Sequence, residues 1–130
     1  MERQAKILIA LTVVLVCFIA ADFLSTHIAL NIPGIVEGNP TSKDIIDKYG
    51  MIGLGFNTLL LVASSFVLPI VYLLVSRKLD KLPRKSPKDE KWFFILDWGL
   101  FIVCFVILLI STMIRSWVVA NNIYLIITCS

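Results

Sequence analysis

At 130 residues, 58% hydrophobic and only 16% charged, with a mean hydropathy of +0.91, the chain is too apolar for an ordinary soluble domain, where about a quarter of residues carry charge. Its net charge of +3 is gathered in one short segment beside apolar runs, which excludes a nucleic-acid surface and points to a membrane. The length allows one membrane domain, and a bundle this thin can hardly enclose a private cavity without borrowing lipid or another subunit as a wall.

Three apolar stretches, Ile7 to Leu30, Met51 to Val75 and Phe93 to Ile114, are each long enough to cross a hydrocarbon layer of roughly 30 Å at about 1.5 Å per helical residue. The expected fold is therefore all-α and integral to the membrane, with three transmembrane helices. The first is expected from about Lys6 to Leu30. It is longer than a signal-peptide core, so it is read as a retained span, and Asn31 and Pro33 end it.

An outer loop over 31–48 follows, shaped by Pro33, Gly34, Gly38 and Pro40, with Thr41 or Ser42 expected to cap a short amphipathic turn around Asp44 to Lys48. The second span, about 49–75, is expected to kink at Pro69, which has no N–H for the Ser65 carbonyl; the Ser64 and Ser65 hydroxyls can compensate in part. Gly50, Gly53, Gly55, Ala63 and Ser64 are small enough to let this helix pack closely, as a tight hairpin with the first.

Between spans two and three, residues 76–91 hold Arg77, Lys78, Lys81, Arg84, Lys85, Lys88 and Lys91, an excess that marks a cytoplasmic loop and suits acidic lipid head groups. Arg3 and Lys6 place the N-terminus on the same side, so the expected orientation in the cell membrane is N-terminus in and C-terminus out. The third span, about 92–117, is framed by the interfacial anchors Trp92, Trp98 and Trp117, with Arg115 alone near its outer end. The remaining tail, 118–130, is apolar but too short to return across the bilayer. It is expected as a short extracytoplasmic helix or surface segment, which either a partner subunit or the lipid interface would cover.

Asp22 demands compensation, because a carboxylate well inside a span costs about 2.5–3.5 kcal/mol. Asn57 falls at a similar depth in an antiparallel hairpin and is the expected partner, with Thr26 one turn along the same face and Ser25, Ser111 and Thr112 in the same stratum. His27 lies about 140° round the helix from Asp22, so the two do not converge as metal ligands, and no metal site is expected. Asp97 is expected to snorkel to the interface near a helix N-terminus. Cys17, Cys104 and Cys129 lack paired spacing and read as small packing residues, and no cofactor is expected.

Asp22-x-x-x-Thr26, then Gly34, Glu37, Asn39 and Pro40 in a G-x-x-E-x-N-P pattern, and Asn122 in the last apolar segment together resemble a family of small polytopic membrane proteins, domain of unknown function 5658. The likeness covers the first half of the chain by motif and the rest by hydropathy. It implies a similar membrane fold and the candidate residues Asp22, Thr26, Glu37 and Asn39, which with Asn57 from the depth match make up one expected polar cluster, but no activity. The family's second span often carries a Lys where Asn57 stands here, so that particular ion pair is not open to this chain.

Three functions remain in order. A structural latch in a noncatalytic accessory subunit of a larger membrane complex, contacting other integral subunits through its helices and tail, comes first. A small transporter or ion or proton binder using Asp22 with Glu37 comes second, and an intramembrane enzyme third, since paired carboxylates need a defined pocket to do acid–base work.

Overall fold

The computed structural model describes residues 2–129, and four helices account for most of them: α1 (Glu2–Leu30), α2 (Pro40–Ser65), α3 (Val67–Lys81) and α4 (Pro87–Cys129). With α2 and α3 taken as one interrupted rod, three helices are long and apolar enough to cross a membrane. Large apolar side chains line their outer faces, which is the arrangement expected where the surroundings are acyl chains rather than water.

The centre of the bundle is a seam between α1 and α4. Ala5, Leu8, Thr12, Leu15 and Ile19 on α1, and Phe101, Cys104, Leu108, Thr112 and Val119 on α4, are buried. Their spacing alternates mainly three and four residues, the repeat that keeps one stripe of a helix facing a neighbour with a left-handed twist. The two helices run parallel, because Arg115 meets Asp22 and, further along both, Asn122 meets Ser25 and Thr26. Tyr72 and Ser76 of α3 close the other end of the core and are fully buried. Thr12 and Thr112 donate to the carbonyls of Leu8 and Leu108 in their own helices, so they enter the seam without an unpaired hydroxyl.

The closest association is thus α1 with α4, rather than a hairpin of the first two spans. Among the small residues of α2, Gly55 faces α1, where a Cβ would stand 3.6 Å from the Phe23 ring, whereas Gly50 and Gly53 serve the turn of α2 itself. Gly50 has φ 71° and ψ −167°, backbone that only glycine adopts readily, and it separates an amphipathic opening segment from the span. That segment begins at Pro40, capped not by Thr41 or Ser42 but by Asn39, whose side chain accepts from the Thr41 N–H at 3.0 Å. The connection before it is therefore 31–39, shorter than expected.

The rod formed by α2 and α3 is interrupted at Phe66 rather than at Pro69. Pro69 has no N–H to give the Ser65 carbonyl, so the pattern fails on the preceding turn, and the Phe66 N–H turns to the Ala63 carbonyl at 3.3 Å. The basic residues straddle the next turn. Arg77, Lys78 and Lys81 lie on the last turns of α3 and Lys88 and Lys91 on the first of α4, where Asp89 and Glu90 complement the helix dipole.

The expectation of a separate short tail is not met. No Gly or Pro follows Trp117, and α4 runs without a break through 118–129, 43 residues or about 64 Å long. Such a helix exceeds the 40–45 Å or so of a bilayer with its head groups, so its ends project or the helix tilts. Trp92, Trp98 and Trp117 are all exposed on α4, and Trp98 also packs edge-on against Phe101 with ring centroids 5.7 Å apart. Cys104 lies in the core, whereas Cys17 and Cys129 face outward.

Candidate functional site

The polar residues of α1 and α4 meet where the seam approaches the 31–39 connection. Positions 22 and 115 continue the three-and-four spacing of the seam, and they bring a carboxylate and a guanidinium together instead of two aliphatic groups. Arg115 Nη1 donates to Asp22 Oδ2 at 2.7 Å, and both side chains are partly buried. Two turns further along α4, the Asn122 amide donates to Ser25 Oγ at 3.0 Å, to Thr26 Oγ1 at 3.1 Å and, at 3.4 Å, to Asp22 Oδ1. Thr26 also donates to Asp22 Oδ1 at 3.4 Å. The carboxylate therefore has a cation on one oxygen and neutral donors on the other, an arrangement that lets a charge persist in poorly hydrated surroundings.

Asp22 is compensated by Arg115, not by Asn57. Depth alone paired it with the second span, but α1 packs chiefly on α4, so the neighbour at that level comes from the last helix. Arg115, read as an interfacial anchor, is the partner. It could have been found from the shared seven-residue spacing, which places 22 and 115 on the faces that meet.

Five residues that the sequence grouped together, Asp22, Thr26, Glu37, Asn39 and Asn57, do line one cavity of about 250 Å3, with Ser42, Thr58, Arg115 and Asn122. Glu37 and Asn39 reach it through local bonds: Glu37 Oε1 accepts from the Asn39 N–H at 2.8 Å, and Asn39 in turn caps α2. Neither bonds to Asp22, so the connection overhangs the mouth without tying itself to the ion pair. Asn57 borders the cavity with its amide unpaired among the described residues.

Directly below, a second cavity of about 350 Å3 shares Ile19, Leu61, Ile114 and Arg115 with the first and continues toward the break in the second rod. Ser64, Ser65 and Ser111 border it, yet all three donate to carbonyls of their own helices: the two serines of α2 to Leu61, and Ser111 to Ile107. That leaves, below Arg115, a lining of Leu15, Ile19, Leu61, Leu68, Leu108 and Ile114. The two cavities form one cleft because α2 leans on α1 and its backbone stays more than 8 Å from α4 throughout.

A second polar group closes the opposite end of the bundle. Asp97 accepts from Ser76 Oγ at 2.7 Å and from the Tyr72 hydroxyl at 3.2 Å, so it ties α4 to α3 rather than snorkelling outward. It borders a cavity of about 390 Å3 with Gln4, Asp80, Arg84 and Glu90, in which the buried Gln4 Oε1 has no hydrogen-bond partner. Arg84 lies 3.5 Å from Asp80 and over the Phe93 ring, which joins the basic turn to the first turns of α4. His27 is exposed, and among the described residues no three His, Cys, Asp or Glu side chains converge as metal ligands would.

Set against protein-family models, curated proteins and solved structures, the chain matches none of them.

Proposed function

We propose that the chain is a small, noncatalytic accessory subunit that packs against larger integral membrane proteins, with Asp22 and Arg115 acting as an internal latch. The observation that carries this reading is the 2.7 Å ion pair itself. A carboxylate held by a guanidinium and an amide of the same chain is poorly suited to loading and releasing a cation or a proton, and well suited to fixing how α1 and α4 register. Apolar faces on every helix, and the continuation of α4 over 118–129 with Ile123 and Ile127 outward, offer surface for other subunits.

In this reading the basic turn between α3 and α4 lies in the cytoplasm beside acidic lipids, the N-terminus is cytoplasmic, the C-terminus is extracytoplasmic, and no cofactor is required. Membership of the family of unknown function named above belongs to the same proposal. It is supported by the meeting of Asp22, Thr26, Glu37, Asn39 and Asn122 around one cavity. The cation that the family often carries on its second span has a counterpart here in Arg115 of α4.

The test is purification of the tagged full-length chain from its native membrane in mild detergent, with mass spectrometry of what accompanies it. The expected result is a defined set of larger membrane proteins in fixed proportion, lost when the outward face of 118–129 is made polar. Recovery of a lone, fully functional monomer would refute it. A second reading, ion or solute movement through Asp22 and Glu37, draws on the polar cavity. It requires a flux in reconstituted vesicles that Asp22→Asn abolishes.

A further inference from the structure

We propose that the cleft between α2 and α4 holds one phospholipid with a primary-amine head group, taken from the leaflet on the side of the 31–39 connection. The cleft is divided as such a molecule is divided. Its upper part contains Arg115, Asn57 and Glu37, and its lower part is apolar, because the serines that border it are turned onto their own helices.

The head-group chemistry follows from what is left unpaired. Arg115 uses Nη1 on Asp22, and no other described residue bonds its remaining N–H groups; with the free Asn57 amide these are donors for a phosphate. Glu37 uses Oε1 on the Asn39 N–H, leaving Oε2 as an acceptor for an ammonium. Since Asp22 and Arg115 neutralise each other, Glu37 is the cavity's remaining formal charge, and it selects a head group that adds a cation to its phosphate.

Charge order separates a lipid from an apolar protein helix as the occupant. Glu37 and the free N–H groups of Arg115 and Asn57 stand above a slot of Leu and Ile, matching an ammonium, a phosphate and an acyl chain in one molecule. The lower cavity, about 350 Å3 and partly open to the surroundings, takes part of an acyl chain. Van der Waals contact along Leu61, Leu68, Leu108 and Ile114 would replace contact with bulk lipid, and the head-group bonds supply the preference.

The experiment is native mass spectrometry of the full-length chain released from nanodiscs containing equal phosphatidylethanolamine, phosphatidylcholine and phosphatidylglycerol. One retained lipid per chain is expected, with phosphatidylethanolamine enriched about tenfold over phosphatidylcholine, the scale of one charge-assisted hydrogen bond. Glu37→Gln should bring that ratio close to one, and Ile114→Trp, which fills the apolar slot, should abolish retention. Retention without head-group preference, enrichment of phosphatidylglycerol, or indifference to both substitutions would overturn the proposal.

Wild-type protein photolabelled with a phosphatidylethanolamine bearing a diazirine in its acyl chain gives a check that no variant's folding can obscure. Adducts should concentrate within 61–68 and 108–115. Adducts spread evenly over the outward faces, or absent from those residues because a bound protein covers them, would count against it.

Discussion

Asp22 and Arg115 occupy positions that would otherwise hold aliphatic residues, which costs packing but makes every shifted alignment of α1 on α4 unfavourable. Asn122 extends the effect, since its one amide reaches three oxygens of α1. Asn122→Leu should therefore lower stability in detergent by about 1–2 kcal/mol, read as a lower unfolding midpoint, because three acceptors lose a donor while the apolar surface gained faces a polar cavity. At the opposite end, Tyr72→Phe and Ser76→Ala each remove one donor to Asp97 and should each cost about 1 kcal/mol, while the double variant exceeds their sum as the carboxylate becomes stranded. A double variant no worse than the sum would show that Asp97 finds water instead. The sequence made Asp22 conspicuous and grouped it with Thr26, Glu37, Asn39 and Asn57, which line one cavity with it. Its ion-pair partner was concealed because Arg115 lies 93 positions away, beside Trp117, in a place where an interfacial anchor is the simpler reading.

At the scale of elements, the three spans were evident from hydropathy because the lipid requirement for continuous apolar helix is so strict. Which helices pair was not evident. In a membrane the apolar stripe toward a neighbour differs little in composition from the one toward lipid, so only the spacing of Thr12, Cys104, Thr112 and the charged pair marks the seam. The glycines divide in the same way. Gly50→Ala should destabilise by about 1–3 kcal/mol although open space surrounds the added Cβ, because φ 71° with ψ −167° is strained for any other residue. Gly99→Ala, also in open space but within regular helix, should be neutral or stabilising by up to about 1 kcal/mol. Thermal midpoints of the two variants in one detergent measure the contrast, and equal shifts would mean that the bend at Gly50 is not kept in solution.

The whole molecule is a seam of two parallel helices with a third, bent rod leaning on one side. Polar groups bind both ends and a cleft is left where the rod stands away from α4. The proposed orientation, with the basic turn in the cytoplasm, is open to a direct labelling test. Single cysteines at Lys85 and Asn39, in a background freed of Cys17, Cys104 and Cys129, should label from opposite sides of intact cells or vesicles, with Lys85→Cys accessible only from the cytoplasm. Labelling of both from one side would show that the α2–α3 rod does not cross the membrane.

The latch is tested most directly by exchanging its charges. Asp22→Arg and Arg115→Asp alone each place two like charges side by side, and each should lower unfolding stability in bicelles by about 3–5 kcal/mol, reduced toward the lower end by the partial exposure of the pair. The double exchange restores opposite charges at the same level of α1 and α4 and should recover at least about half of the loss. Losses that simply add in the double variant would show that the two residues do not meet, and the parallel seam built on them would fall with that result.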